Sequence, residues 1–135
     1  MSAPSFKEFT GIDHPAFATP DPDRLAHWYC DVLGYEIRIR LERAGHSSLP
    51  VYILAAPDGT LVEVMPEDGT VRPDRTTWTP GWSHVALRVR SFDTAVAYLG
   101  SRDVEWTGPE VEAAGGGRLR SFTDPDGNML QIVER

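Results

Sequence analysis

A chain of 135 residues is one ordinary domain or two small modules pressed together, and 41% hydrophobic with 24% charged residues is enough for a packed core rather than a disordered tail or fibre. Thirteen basic against 20 acidic residues give a net charge of −7 with a single lysine, Lys7, which argues against a phosphate-binding surface and so against a nucleic-acid partner. No run approaches about 18 apolar residues, the N-terminus lacks a basic start followed by an apolar run, and the one cysteine, Cys30, cannot close an internal disulfide; the expectation is a cytoplasmic protein with no membrane span and no signal peptide.

The first predicted element is a strand from Ile12 to Ala18. Thr19-Pro20-Asp21-Pro22 then opens a helix, with Asp21 as N-cap and Pro22 at the first helical position. Leu25, Trp28, Tyr29, Val32 and Leu33 fall at i, i+3, i+4, i+7 and i+8, one apolar face, and Gly34 ends the helix. Strands are predicted at Tyr35–Leu41, Val51–Ala56 and Leu61–Met65, the last two joined by a hairpin turn at Pro57-Asp58-Gly59-Thr60. After a segment rich in Pro, Thr, Asp and Gly comes a strand at His84–Val89. A helix follows from about Phe92 to Ser101, with Phe92, Val96 and Leu99 inward. The last strands are Val104–Thr107, Arg118–Thr123 and Met129–Val133, with a final hairpin at Asp124-Pro125-Asp126-Gly127.

The same unit is written twice. Gly11-Ile12-Asp13-His14-Pro15-Ala16-Phe17 lies over Gly81-Trp82-Ser83-His84-Val85-Ala86-Leu87, both reading Gly-x-x-His-x-Ala-apolar at an offset of 70. Pro57-Asp58-Gly59-Thr60-Leu61-Val62-Glu63 lies over Pro125-Asp126-Gly127-Asn128-Met129-Leu130-Gln131 at an offset of 68. The predicted division is module one at about 11–66, a linker at 67–80 and module two at about 81–135. A lone βαβββ unit of about 60 residues would leave one sheet face uncovered, so two sheets packed together, or curved into one cleft, are expected.

His14, "HWYCDVLGYEI" (27–37) and "PDGTLVEVM" (57–65), followed by "SHVALRV" (83–89) and "DPDGNMLQIVE" (124–134), resemble the vicinal oxygen chelate superfamily, also called the glyoxalase/bleomycin-resistance/dioxygenase superfamily, from about Ile12 to Glu134. The resemblance implies an α+β fold of two tandem βαβββ modules that form a curved-sheet, barrel-like metal cleft. It also implies ligands from the first and last strands of each module, which here are His14, Glu63, His84 and Gln131. Two imidazoles, a carboxylate and an amide oxygen suit a divalent ion such as Zn, Ni, Co, Mn or Fe. Four protein groups on an octahedral ion leave two positions for adjacent oxygens of a small-molecule substrate. Two-module members of this superfamily usually pair, and open sheet edges give a reason to, so a homodimer is expected.

Gln131 departs from the pattern. Members commonly carry glutamate there, and in glyoxalase-like isomerases that carboxylate moves the substrate proton. An amide cannot accept a proton at neutral pH. The iron triad of the ring-cleaving dioxygenases would need the same position, so lyase or isomerase chemistry fits better than dioxygenation. Glu63, the counterpart of residue 131 in the other module, is then the catalytic base.

Each of these residues also has a plainer reading. A lone strand histidine is commonly a hydrogen-bonded core residue, and only the shared motif register raises His14 and His84 to ligands. Glu63 alternates away from Val62 and Val64 and would otherwise face solvent. His27 and His46 read as surface residues and Cys30 as an inert thiol. The glycine-rich 113–118 segment reads as a flexible lip, and Trp78 and Trp106 as core or interface packing residues. Trp82, two residues before His84, would share its strand face and bind substrate. Two functions stay open: a metal-dependent lyase or isomerase, and a metal-free protein that sequesters an antibiotic. An acidic, tryptophan-bearing cleft suits a cationic drug, whereas a pure binder has no need of the His14, Glu63 and His84 set.

Overall fold

The computed structural model describes residues 6–43 and 45–135. The chain divides into two compact units, one running to Asp68 and the other from Gly69 to the end. The first contains β1 (Ala16–Thr19), α1 (Pro22–Leu33), β2 (Glu36–Leu41), β3 (Val51–Ala55) and β4 (Leu61–Pro66). The second contains β5 (Val85–Arg88), α2 (Phe92–Ser101), β6 (Glu105–Trp106), β7 (Val111–Glu112), β8 (Arg118–Thr123) and β9 (Met129–Glu134). The fold is α+β, two tandem βαβββ modules of which the second carries β7 as an addition.

In the first unit the strand order is β1-β4-β3-β2, with β1 parallel to β4 and the other neighbours antiparallel. Helix α1 forms where its caps allow. The Asp21 carboxylate accepts from the Arg24 backbone N–H (3.1 Å), Pro22 fills the first turn, and Gly34 closes the helix at φ 77°, its N–H donating to the Cys30 carbonyl. Its buried face is Leu25, Ala26, Tyr29 and Val32; Trp28 and Leu33 are only half-buried, so the face is narrower than their spacing suggests. That face covers Val62 and Val64 of β4 with Tyr52 and Leu54 of β3, and Tyr29 stacks on Phe17 at 5.4 Å. Glu63 therefore points to the opposite side of the sheet. Edge strand β2 is exposed along its whole length, its ladder broken between Ile37 and Ile39, and it presents Ile37, Ile39 and Leu41 to solvent.

The second unit repeats the topology as β5-β9-β8-β6, with β5 parallel to β9 and β7 paired to β8. Its core joins Phe122, Leu130, Ile132 and Val133 with Phe92 and Leu99 of α2; Val96, expected inward, is half-buried. The Ser91 hydroxyl caps α2 at Thr94 N–H (3.3 Å), and Phe92 N–H donates to Glu134 Oε1 (3.0 Å), fixing the helix start to β9. The two hairpin turns match bond for bond. Ala56 N–H donates to Thr60 O and Gly59 N–H to Ala56 O; Asp124 N–H donates to Asn128 O and Gly127 N–H to Asp124 O. Gly59 and Gly127 sit at φ 88° and 83°, where a side chain is strained.

Three expectations change. The strands predicted to begin at Ile12 and His84 begin at Ala16 and Val85, because the preceding residues run outside the ladder, Ile12 being exposed. The Val104–Thr107 strand shrinks to Glu105–Trp106, and the two-residue β7, too short to show alternation, went unpredicted. The glycine-rich segment is not a flexible lip but the tight turn from β7 to β8. Ala113 and Gly117 bond across it, and Arg135 donates to the carbonyls of Ala114 (2.6 Å) and Gly116 (2.8 Å). Gly117 is obligatory there, since a Cβ would stand 2.2 Å from the Glu134 carbonyl oxygen. Among the described residues no helix is long and apolar enough to cross a membrane.

Candidate functional site

The parallel pairing of β1 with β4 sets Ala16 opposite Glu63, and Glu63 N–H donates to Pro15 O (2.9 Å), extending the ladder back toward His14. His14 Nε2 consequently lies 3.6 Å from Glu63 Oε2, both side chains partly buried. The other ring nitrogen, Nδ1, donates to Asp13 Oδ2 at 2.7 Å. A carboxylate only accepts, so Nδ1 carries the hydrogen. In the neutral imidazole Nε2 is then an electron pair aimed at a second carboxylate. Imidazole nitrogen and carboxylate oxygen at this spacing are two donors that one proton, one metal ion or one water can bridge.

The second unit repeats the register. β5 runs parallel to β9 with Ala86 opposite Gln131, and His84 precedes Ala86 by two residues as His14 precedes Ala16. His84 Nδ1 is 2.8 Å from Ser83 Oγ, whose hydroxyl donates to the Thr77 carbonyl at 2.8 Å. Gln131 is half-buried on the β9 face opposite Leu130 and Ile132, as Glu63 is on β4. The loop before His84 is folded rather than loose. Arg75 donates to the carbonyls of Thr79 (3.3 Å), Pro80 (3.3 Å) and Trp82 (2.6 Å).

Trp82 lies on that loop, not on the strand, so strand alternation does not place it with His84; the residue is 89% exposed. Trp78 is 90% exposed, beside the turn in which Thr76 N–H donates to Thr79 Oγ1 (2.8 Å), so of the core or interface packing expected of it the core is excluded. Trp106 is a packing residue, edge-on to Phe122 at 5.7 Å with Arg120 over its face at 4.2 Å. His27 and His46 are exposed, His46 Nε2 donating to the carbonyls of Pro66 and Glu67 (both 3.1 Å). Burial first, then Asp31 and Glu36, push the Cys30 thiol above its usual range, which keeps it protonated and unreactive.

Module one therefore brings His14 and Glu63 together, and module two sets His84 and Gln131 at the same register. Among the described residues no group of three or more His, Cys, Asp or Glu side chains is set to hold a metal. Asp13 and Ser83 have no signal in their residue type. The one sign of them in the sequence is their place, immediately before each repeated histidine.

The profile of the Glyoxalase/Bleomycin resistance protein/Dioxygenase superfamily matches residues 11–132. The YaeR protein of Escherichia coli (strain K12) is 28% identical over 128 residues, 92% of this chain and 95% of its own. Two solved structures share the fold at 18% identity and a TM-score of 0.69. One is TnmS3, an antibiotic binding protein from Streptomyces sp. CB03234 (96% of this chain, 98% of that one). The other is the genomically encoded fosfomycin resistance protein FosX of Listeria monocytogenes (94% of each chain).

Proposed function

The chain belongs to the glyoxalase/bleomycin resistance protein/dioxygenase superfamily, and from that membership we propose that it is a divalent-metal-dependent enzyme acting on a small oxygen-chelating substrate by lyase or isomerase chemistry. The observation that carries this reading is the Nε2 of His14 facing the carboxylate of Glu63 at 3.6 Å, two donors placed to share one ion. Imidazole and carboxylate are the donors that borderline ions such as Zn, Ni, Co, Mn or Fe(II) take. In this proposal His84 and Gln131 complete the ligand set, from the same chain or from a second copy.

A divalent ion held there supplies Lewis-acid polarisation of the substrate's adjacent oxygens. The chain's own part is to orient and to move a proton. Glu63 is the base, accepting the proton of the carbon beside the bound oxygens. Gln131 orients without titrating, since an amide takes no proton at neutral pH. Trp82, exposed on the loop that ends at His84, is the proposed wall for an apolar part of the substrate. The proposed working form is a cytoplasmic homodimer, supported by the unpaired edge of β2 and its exposed Ile37, Ile39 and Leu41.

A second reading, antibiotic sequestration without metal, is favoured by the net charge of −7 and by two exposed tryptophans, Trp78 and Trp82. One experiment separates the two. Chelator-treated and metal-loaded protein are each titrated with cationic aromatic antibiotics by tryptophan fluorescence, and each is assayed on α-keto hemithioacetals and catechols. The enzyme reading expects turnover that appears only with metal. Sub-micromolar drug binding by the chelated protein, with no turnover in either form, would replace it with sequestration.

A further inference from the structure

We infer that Asp13 and Ser83 are matched positioning residues, each holding the histidine that follows it as the Nδ1–H tautomer so that Nε2 is left as the electron-pair donor. The inference rests on hydrogen-bond direction. Asp13 Oδ2 stands 2.7 Å from His14 Nδ1 and, as a carboxylate, only accepts. Ser83 has one hydroxyl hydrogen, and it is spent on the Thr77 carbonyl at 2.8 Å. Its oxygen, 2.8 Å from His84 Nδ1, is left as an acceptor, so His84 Nδ1 must donate. By two different routes the two modules reach one state at equivalent places in the repeat. An unrestrained neutral histidine side chain in water favours the opposite, Nε2–H, tautomer, so the neighbours set this state.

The partners differ in strength. Asp13 presents an anion to the His14 N–H and Ser83 a neutral oxygen to that of His84, and a carboxylate partner makes the far nitrogen the better donor. On the reading that both histidines are metal ligands, His14 is then the stronger of the two. Arg75 holds the same loop through the carbonyls of Thr79, Pro80 and Trp82, the last immediately before Ser83. The tautomer itself does not depend on the metal reading.

The test is the ring ¹⁵N and ¹³C shifts of all four histidines in the metal-free full-length protein at about pH 8.5, two units above the usual imidazole range. His14 and His84 are expected as Nδ1–H, with His46, which donates from Nε2 to two carbonyls, as the Nε2–H internal contrast. Asp13→Ala moves His14 alone to Nε2–H and Ser83→Ala moves His84 alone. Asp13→Asn and Ser83→Thr, which keep an acceptor oxygen, retain the wild-type signature. In the same variants Co²⁺ affinity falls about 10–100-fold for the alanine changes and little for the conservative ones. Nε2–H at either histidine of the wild type, or alanine variants that leave the shifts in place, overturns the inference. Nδ1–H signatures that move as stated in a protein that takes up no Co²⁺ uphold the positioning role and remove the metal reading instead.

Discussion

On the proposed metal-dependent reading, Glu63→Gln is expected to abolish turnover while the divalent ion stays bound. A glutamine oxygen can still coordinate where the carboxylate did, but it cannot take a proton, so the loss falls on kcat at the size of a general-base contribution, about 10²–10⁴-fold. The backbone does not oppose the exchange: Glu63 is half-buried, and its N–H remains bonded to Pro15 O. Gln131→Glu is the reciprocal change. It puts a carboxylate at the matching register of β9, so on the same reading it is expected to tighten metal binding and to raise a weak glyoxalase-like activity. Steady-state rates on the substrate found by screening, with metal content measured on the same samples, check both. Full activity in Glu63→Gln assigns the proton to another group.

Asp124→Ala carries the largest expected effect on stability, about 3 kcal/mol, from hydrogen bonds to a charged acceptor at about 1.5–3 kcal/mol each, discounted for partial rescue by water. The Asp124 side chain, on a residue only 3% exposed, accepts from Asp126 N–H (2.9 Å), Asn128 N–H (2.9 Å) and Asn128 Nδ2 (2.7 Å). Its removal strands partly buried donors at the turn that sets the β8–β9 register, and with it the position of Gln131. In module one Ala56 occupies the equivalent position, and the turn is held instead by exposed Asp58, which accepts from Thr60 N–H (3.0 Å) and Thr60 Oγ1 (2.7 Å). Asp58→Ala should therefore cost under about 1 kcal/mol. Urea unfolding of the two variants measures the difference, and equal midpoints would remove the assigned role of Asp124.

What was legible in the sequence was what local chemistry controls. Asp21, Pro22 and Gly34 bound α1 as read, because capping is settled within one turn of chain. The Asp-Gly turns and the alternation of Leu61–Met65 placed Glu63 on the sheet face away from Val62 and Val64, as found. The pairing of His14 with Glu63 was legible only through the family resemblance, since a parallel register is set by strands far apart in sequence. Strand starts were misjudged where ladder partners, not residue type, decide the boundary. The turn at Gly117 read as a flexible lip because its restraint comes from Glu134 and Arg135, which no local pattern reveals. Trp82 was placed by an alternation that does not extend to it, as β5 begins three residues later.

The central claim, that the repeated histidines are equivalent metal ligands, is tested most directly by titrating untagged protein with Co²⁺ or Zn²⁺ beside His14→Ala and His84→Ala, with circular dichroism to confirm the fold of each. The account predicts that wild-type protein binds the ion and that both variants weaken binding by at least about 100-fold, the loss of one of a few ligands, while keeping the wild-type spectrum. Loss in one variant and not in the other would contradict it, leaving the silent histidine a hydrogen-bonded structural residue.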